Sequence, residues 1–119
     1  MKKLFALRGA VQCINSENDI IKQVTAMYDE LLSQNNINEE DIVSLQFSVT
    51  DDINAINPAA ALRKSGRAEE TALFAVQEAK SQGALEHTIR CLMHCYMESC
   101  VIPRHIYRSG AEVLRPDRA

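Results

Sequence analysis

The amino-acid pattern predicts an α+β domain, a mixed β-sheet with helices packed on one face. Two stretches and the order of the remainder carry that expectation. Ile20, Ile21, Val24, Met27, Tyr28, Leu31 and Leu32 recur at helical spacing, whereas Val43, Leu45, Phe47 and Val49 alternate with Ser44, Gln46, Ser48 and Thr50, as in a strand with one apolar face. Along the whole chain the order reads strand, helix, strand, short helix, strand, helix, strand. With 119 residues the chain is expected to form a single domain, 1–119, with one core and a flexible tail after about residue 115.

Each element has a local reason. Residues 4–11 are short and apolar up to Arg8 and read as the first strand. Ser16-Glu17-Asn18-Asp19 has the spacing of a capping box, so the amphipathic helix starts there; it ends near Asn35-Asn36. The polar side of the 43–50 strand is either the wall of a site or a solvent face. Asn57-Pro58 pairs an N-cap residue with proline at the first helical position, and Gly66 supplies a stop, giving a helix of about two turns. Residues 71–77 suit another strand. Residues 83–98, with Leu85, Ile89, Leu92, Met93 and Tyr96 on an apolar side, read as a third helix, and Pro103 closes the segment. Residues 104–108 and 112–114 read as one bent strand or two short ones, interrupted at Ser109-Gly110. A sheet this small leaves edges and part of one face uncovered, which predicts oligomerisation.

Apolar residues make up 46% of the chain and charged residues 24%, which excludes disordered and fibrous classes. A net charge of −3 leaves no basic excess for nucleic acid, yet eight of the 13 basic residues are arginine, a bias suited to local anion sites. The N-terminal apolar run is interrupted by Arg8 and no stretch is long enough to span a bilayer, so a cytoplasmic protein is expected. Cys13, Cys91, Cys95 and Cys100 read as reduced thiols, three of them falling in or just after one segment. Cys91, His94, Cys95 and Cys100 lack the spacing of a zinc knuckle or ribbon, so no metal is expected; His87 and His105 read as surface or interface residues. No glycine-rich phosphate loop, Ser/His/Asp order or nucleotide fingerprint is present, and no cofactor is expected.

The chemistry rests on Arg8, Arg63, Glu78, Arg90 and Arg115, with Tyr107. Arginine presents a planar fork of donors that keeps its charge, so several converging with one acid suggest a small polycarboxylate ligand. Each has an ordinary reading as well. Arg90 beside Ile89 could rest its stem on the sheet with its head in water. Arg8, where the first strand yields to Gly9, could be a solvated strand end, or could point into a cleft where the glycine lets backbone approach a ligand. Glu78 could be a surface acid at a turn, and Tyr107 an ordinary strand aromatic.

The words around these residues are Leu7-Arg8-Gly9-Ala10, Asn57-Pro58-Ala59-Ala60-Ala61-Leu62-Arg63, Gln77-Glu78, Ile89-Arg90, Ile106-Tyr107 and Val113-Leu114-Arg115-Pro116-Asp117. In this order and spacing, from about residue 5 to residue 117, they resemble the monofunctional, trimeric chorismate mutases of the α+β class. The resemblance implies a trimer whose sheets build a barrel-like centre, with sites in clefts between subunits, chorismate as substrate and no cofactor. It implies that the Arg90 guanidinium faces the ether oxygen of the breaking bond and that Arg8 and Tyr107 bind the carboxylate of the enolpyruvyl chain. It further implies that Glu78 accepts from the ring hydroxyl, and that Arg63 and Arg115 lie at the mouth near the ring carboxylate. Arg115 falls in a tail expected to order with ligand. Asn57, Ala60 and Ala75 stand where an aromatic, a lysine and a cysteine are familiar, making the site less apolar, less basic and poorer by one contact to the ring hydroxyl. The rivals are a trimeric imine deaminase-like enzyme, whose glycine-rich and cysteine-containing words are not found here, and an inactive carboxylate-binding module of the same fold.

Overall fold

The computed structural model describes residues 1–115. Pro116 and Asp117, which belong to the C-terminal motif, lie outside the described residues. Five strands form one mixed sheet: β1 (Lys2–Gln12), β2 (Ile42–Val49), β3 (Ala72–Gln77), β4 (Thr88–Glu98) and β5 (Ile106–Arg108). Their order is β3-β2-β4-β1-β5, with β4 central and antiparallel to both β2 and β1, while β3 runs parallel to β2 and β5 parallel to β1. Two α-helices, α1 (Glu17–Asn35) and α2 (Pro58–Lys64), pack on one face, and short 3-10 turns occupy Glu39–Asp41 and Ala111–Leu114.

The helices start where their side chains dictate. Ser16 caps α1 by accepting the Asp19 N–H at 3.2 Å, but the Asp19 carboxylate accepts from the Ile14 N–H at 2.7 Å instead of closing back on Ser16, so only half of a capping box forms. Ile20, Val24, Met27, Tyr28 and Leu31 are buried, the face the spacing predicted. Asn57 caps α2 through a 2.8 Å bond from the Ala59 N–H, Pro58 opens it, and Gly66, at φ 85°, follows its end.

Two segments differ from the sequence reading. Residues 83–98 are not a helix: residues 78–87 form a loop and β4 follows. Ile89, Cys91, Met93, Cys95 and Met97 are buried on the helix side, while Leu92 and Tyr96 put apolar groups on the other side of a central strand. Apolar residues on both faces hide the two-residue period and mimic a helical stripe. Residues 111–114 are a 3-10 turn and not a strand, because Gly110, at φ 101°, turns the chain out of the sheet after β5. A third, smaller difference concerns Val43, which sits at a register shift and is exposed, leaving Ile42 to fill the core position.

The core lies between the helices and the sheet and includes Leu7, Val11, Ile20, Val24, Met27, Leu31, Leu45, Phe47, Ile89 and Met93. Burying each such side chain is worth about 1.5–3 kcal/mol. The opposite face is uncovered in the single chain, and on it Phe74 is 63% and Leu4 53% exposed. Among the described residues no helix is long and apolar enough to cross a membrane.

Candidate functional site

Sheet register places the charged residues before any side chain is considered. Directly opposed residues share a face, so Ala10, Arg90 and Ser48 form one row across β1, β4 and β2, with Tyr107 of β5 beside Ala10 and Val76 of β3 beside Ser48. This row lies on the uncovered face. Arg8 is two residues from Ala10 on the same face, diagonal to Arg90, a relation that sets such residues about 7–8 Å apart. Ala10, the smallest member of the row, stands between Tyr107 and Arg90, whose strands lie about 10 Å apart.

Arg8 therefore does not stand where a strand ends; β1 continues through Gln12. Nor does Gly9 open a path to a ligand. It faces α1, and a Cβ there would lie 2.9 Å from both the Cys91 and the Met27 sulfurs. Its missing side chain serves helix-to-sheet packing.

Glu78 enters the row from beyond the end of β3. Its N–H donates to the Val49 carbonyl at 2.7 Å, extending the parallel ladder by one residue. The side chain then reaches back over β2, where Ser48 Oγ donates to Oε1 at 3.1 Å and Arg90 Nε lies 3.2 Å from the same oxygen. The Arg90 side chain is 41% exposed and that of Glu78 21%, yet Arg90 Nε itself is buried and makes no hydrogen bond: the carboxylate is close but off the line of the N–H. The loop after Glu78 is anchored at its return to β4. There the Asp52 carboxylate accepts the His87 N–H at 3.0 and 3.1 Å, and Thr50 Oγ1 accepts the Thr88 N–H at 3.0 Å.

The other sequence-derived residues lie elsewhere in the chain. Asn57 and Ala75 share a groove of about 280 Å³ with Val49, Ile53, Ile56, Pro58 and Gln77. Ala75 pairs with Phe47 and packs toward the helix side, opposite the Arg90 row, and the Asn57 side chain is engaged as the α2 cap. Arg63, exposed on α2, donates from one guanidinium nitrogen to the Thr71 carbonyl at 2.8 Å, and Ala60 is exposed on the same helix. Arg115 follows the final 3-10 turn, which packs against β5 and β1, and its N–H bonds the Glu112 carbonyl at 3.2 Å. One chain thus brings together Arg8, Glu78, Arg90 and Tyr107 and holds Asn57, Arg63 and Ala75 at the β3 and α2 edge.

The cysteine cluster does not converge. Cys91 and Cys95 point to the helix side of β4 and His94 to the uncovered side, where its Nδ1 lies 3.3 Å from Ser44 Oγ. Burial pushes the Cys91 thiol up to about 12 and those of Cys13 and Cys95 up to about 11. Among the described residues, Asp52, Glu86 and His87 bring ligand-type atoms within 4.8 Å of one another, but Asp52 is already occupied in closing the 78–87 loop. Sequence reasoning missed Ser48. Its place on the polar side of the 43–50 strand was visible, but its partnership with Glu78 and Arg90 depends on register across three strands.

This architecture defines a small α+β sheet protein with helices on one face and an arginine–glutamate pair on the other. Residues 4–118 match the family Chorismate mutase type I, and the chain belongs to that family. It is 28% identical over 116 residues to chorismate mutase AroH of Bacillus subtilis (strain 168), covering 93% of this chain and 89% of that protein. Its structure is similar to that of a chorismate mutase from Clostridium thermocellum, with a TM-score of 0.84 and 34% identity, covering 92% of this chain and 98% of that one.

Proposed function

We propose that the chain is a chorismate mutase, an isomerase that rearranges chorismate to prephenate in phenylalanine and tyrosine biosynthesis, and that the Arg90 row is one half of its site. The family supports the reaction. The Arg90–Glu78 pair on the uncovered face, 3.2 Å apart with the Arg90 side chain 41% exposed, is the observation that carries the site, because it keeps an always-charged donor group beside an acid at a surface that a dianion can approach.

The rearrangement breaks one ether carbon–oxygen bond and forms one carbon–carbon bond within the same molecule, so no nucleophile, proton or electron carrier is required. The protein must hold a flexible dianion in a compact chair-like form and stabilise the charge that grows on the ether oxygen. Arg90 faces that oxygen, Arg8 and Tyr107 hold the side-chain carboxylate, and Glu78 accepts from the ring hydroxyl. Arg63 and Arg115 attract the ring carboxylate at the mouth, where Asn57 and Ala75 line the wall. Asn57, Arg63 and Ala75 reach this row only from another copy of the chain. The uncovered sheet face and the split site together support a homotrimer with clefts between subunits, and its place is the cytoplasm if it serves amino-acid biosynthesis there.

Loss of chorismate absorbance measures the reaction directly. Arg90→Ala should lower turnover by about a hundred- to a thousand-fold or more, the scale of losing one preorganised donor. Lysine at this position should rescue only part, since it keeps the charge without the fork. Citrulline keeps the shape and most donors but not the charge; near-native turnover of that variant would sink the assigned role.

A further inference from the structure

We infer that Ser48 is a positioning residue that keeps the Arg90–Glu78 fork from closing by holding the Glu78 carboxylate off the line of the Arg90 Nε–H. The inference rests on the site proposed above. Arginine and a carboxylate 3.2 Å apart ordinarily settle into a hydrogen-bonded fork. Here they do not: Arg90 Nε is buried, within reach of Glu78 Oε1, and still without a hydrogen bond. A second hold on the carboxylate accounts for this, since Ser48 Oγ donates to that same Oε1 at 3.1 Å.

The geometry follows from the fold. Glu78 follows the end of β3, Arg90 is on β4, and Ser48 stands between them on β2, directly opposite Arg90 in the register. The carboxylate must pass over Ser48 to approach the arginine, so the hydroxyl meets it first. Arg108 offers a comparison. Its Nε is also buried and unpartnered, but its NH1 is fixed by Glu30 at 2.6 Å, and it belongs to a hydrogen-bonded ion pair. The Arg90–Glu78 pair lacks that closure. Charge proximity is retained while the fork stays unclosed.

The consequence concerns the transition state. If Glu78 rotated into the Arg90 fork, a charge-assisted bond would have to break before the donor could serve the ether oxygen, and that cost would enter the barrier. Removing the Ser48 hydroxyl should therefore lower turnover with little effect on KM.

Ser48→Ala should reduce kcat by about ten-fold or more with KM held within about two-fold, Ser48→Thr should recover most of the loss, and Ser48→Ala should cost nothing further in a Glu78→Ala background. A merely structural serine would give the same loss in both backgrounds, and that result, or unchanged kcat in Ser48→Ala, overturns the inference. An activity-independent readout separates this from failure of the reaction assignment. In NMR spectra of the Arg90 Nε–H, Ser48→Ala should move the proton downfield as Glu78 closes onto it, and Glu78→Ala should abolish that movement. If the unaltered chain leaves chorismate unchanged, the reaction assignment fails, and an Arg90 Nε–H unmoved by Ser48→Ala still overturns the positioning role.

Discussion

Burial decides the behaviour of the individual thiols, and hydrogen bonds that of Asp41. Cys13, Cys91 and Cys95 are buried and their thiols are pushed up by desolvation, whereas Cys100 is exposed. Titration of the native protein with a thiol reagent at neutral pH should therefore label Cys100 alone, and full labelling should require denaturant. Blocking Cys100 or adding a chelator should leave turnover intact; activity lost to a chelator and restored by zinc would contradict the mechanism. Asp41 gives the clearest pH effect. Its carboxylate accepts the Asn38 N–H at 3.0 Å and pairs with Lys2 at 3.0 Å, which hold it below the usual carboxylate range, the backbone bond foremost. A depressed carboxyl contributes stability above its unfolded value and loses it as pH falls through the folded value. Asp41→Asn should cost about 1 kcal/mol or less near neutrality, with the difference from the parent shrinking only below about pH 4 in denaturant titrations.

At the scale of elements, two close fits can be tested against the fold. Gly9 lets β1 approach α1, and Gly9→Ala would press a methyl group against the sulfurs of Met27 and Cys91. It should destabilise by about 1–3 kcal/mol in urea unfolding while the secondary structure is retained. Met27 is flexible, so the lower part of that range is expected. The second fit is the α2 cap. Asn57→Ala removes the acceptor of the Ala59 N–H and should cost about 1 kcal/mol, whereas Asn57→Asp should cost little. An aromatic at this position, familiar in the resembled enzymes, would have to do without that bond.

For the whole molecule, the proposed trimer draws support from what one chain leaves uncovered. Phe74, Val76, Leu4 and Tyr96 expose apolar area on the face that carries Arg90, area that a second copy would bury. Phe74→Glu should therefore yield monomers in analytical ultracentrifugation, with helix content preserved and turnover lost. A parent protein that sediments as a monomer at micromolar concentration would contradict the assembly.

Local chemistry was sufficient for much of this. The α1 face, the Asn57-Pro58 start of α2 and the β2 alternation were legible because capping, helical spacing and strand alternation act over a few positions, whereas Arg8, Glu78, Arg90 and Tyr107 were singled out by the family resemblance. β4 was misread because a central strand with apolar groups on both faces carries no clear period, and the role of Gly9 was misplaced because its close neighbour, Met27, is distant in sequence. Which charged residues share one face, and that Ser48 stands between Glu78 and Arg90, required the register of β3, β2 and β4. Register is set by packing one sheet face against α1 and α2, an interaction between segments that no local pattern encodes.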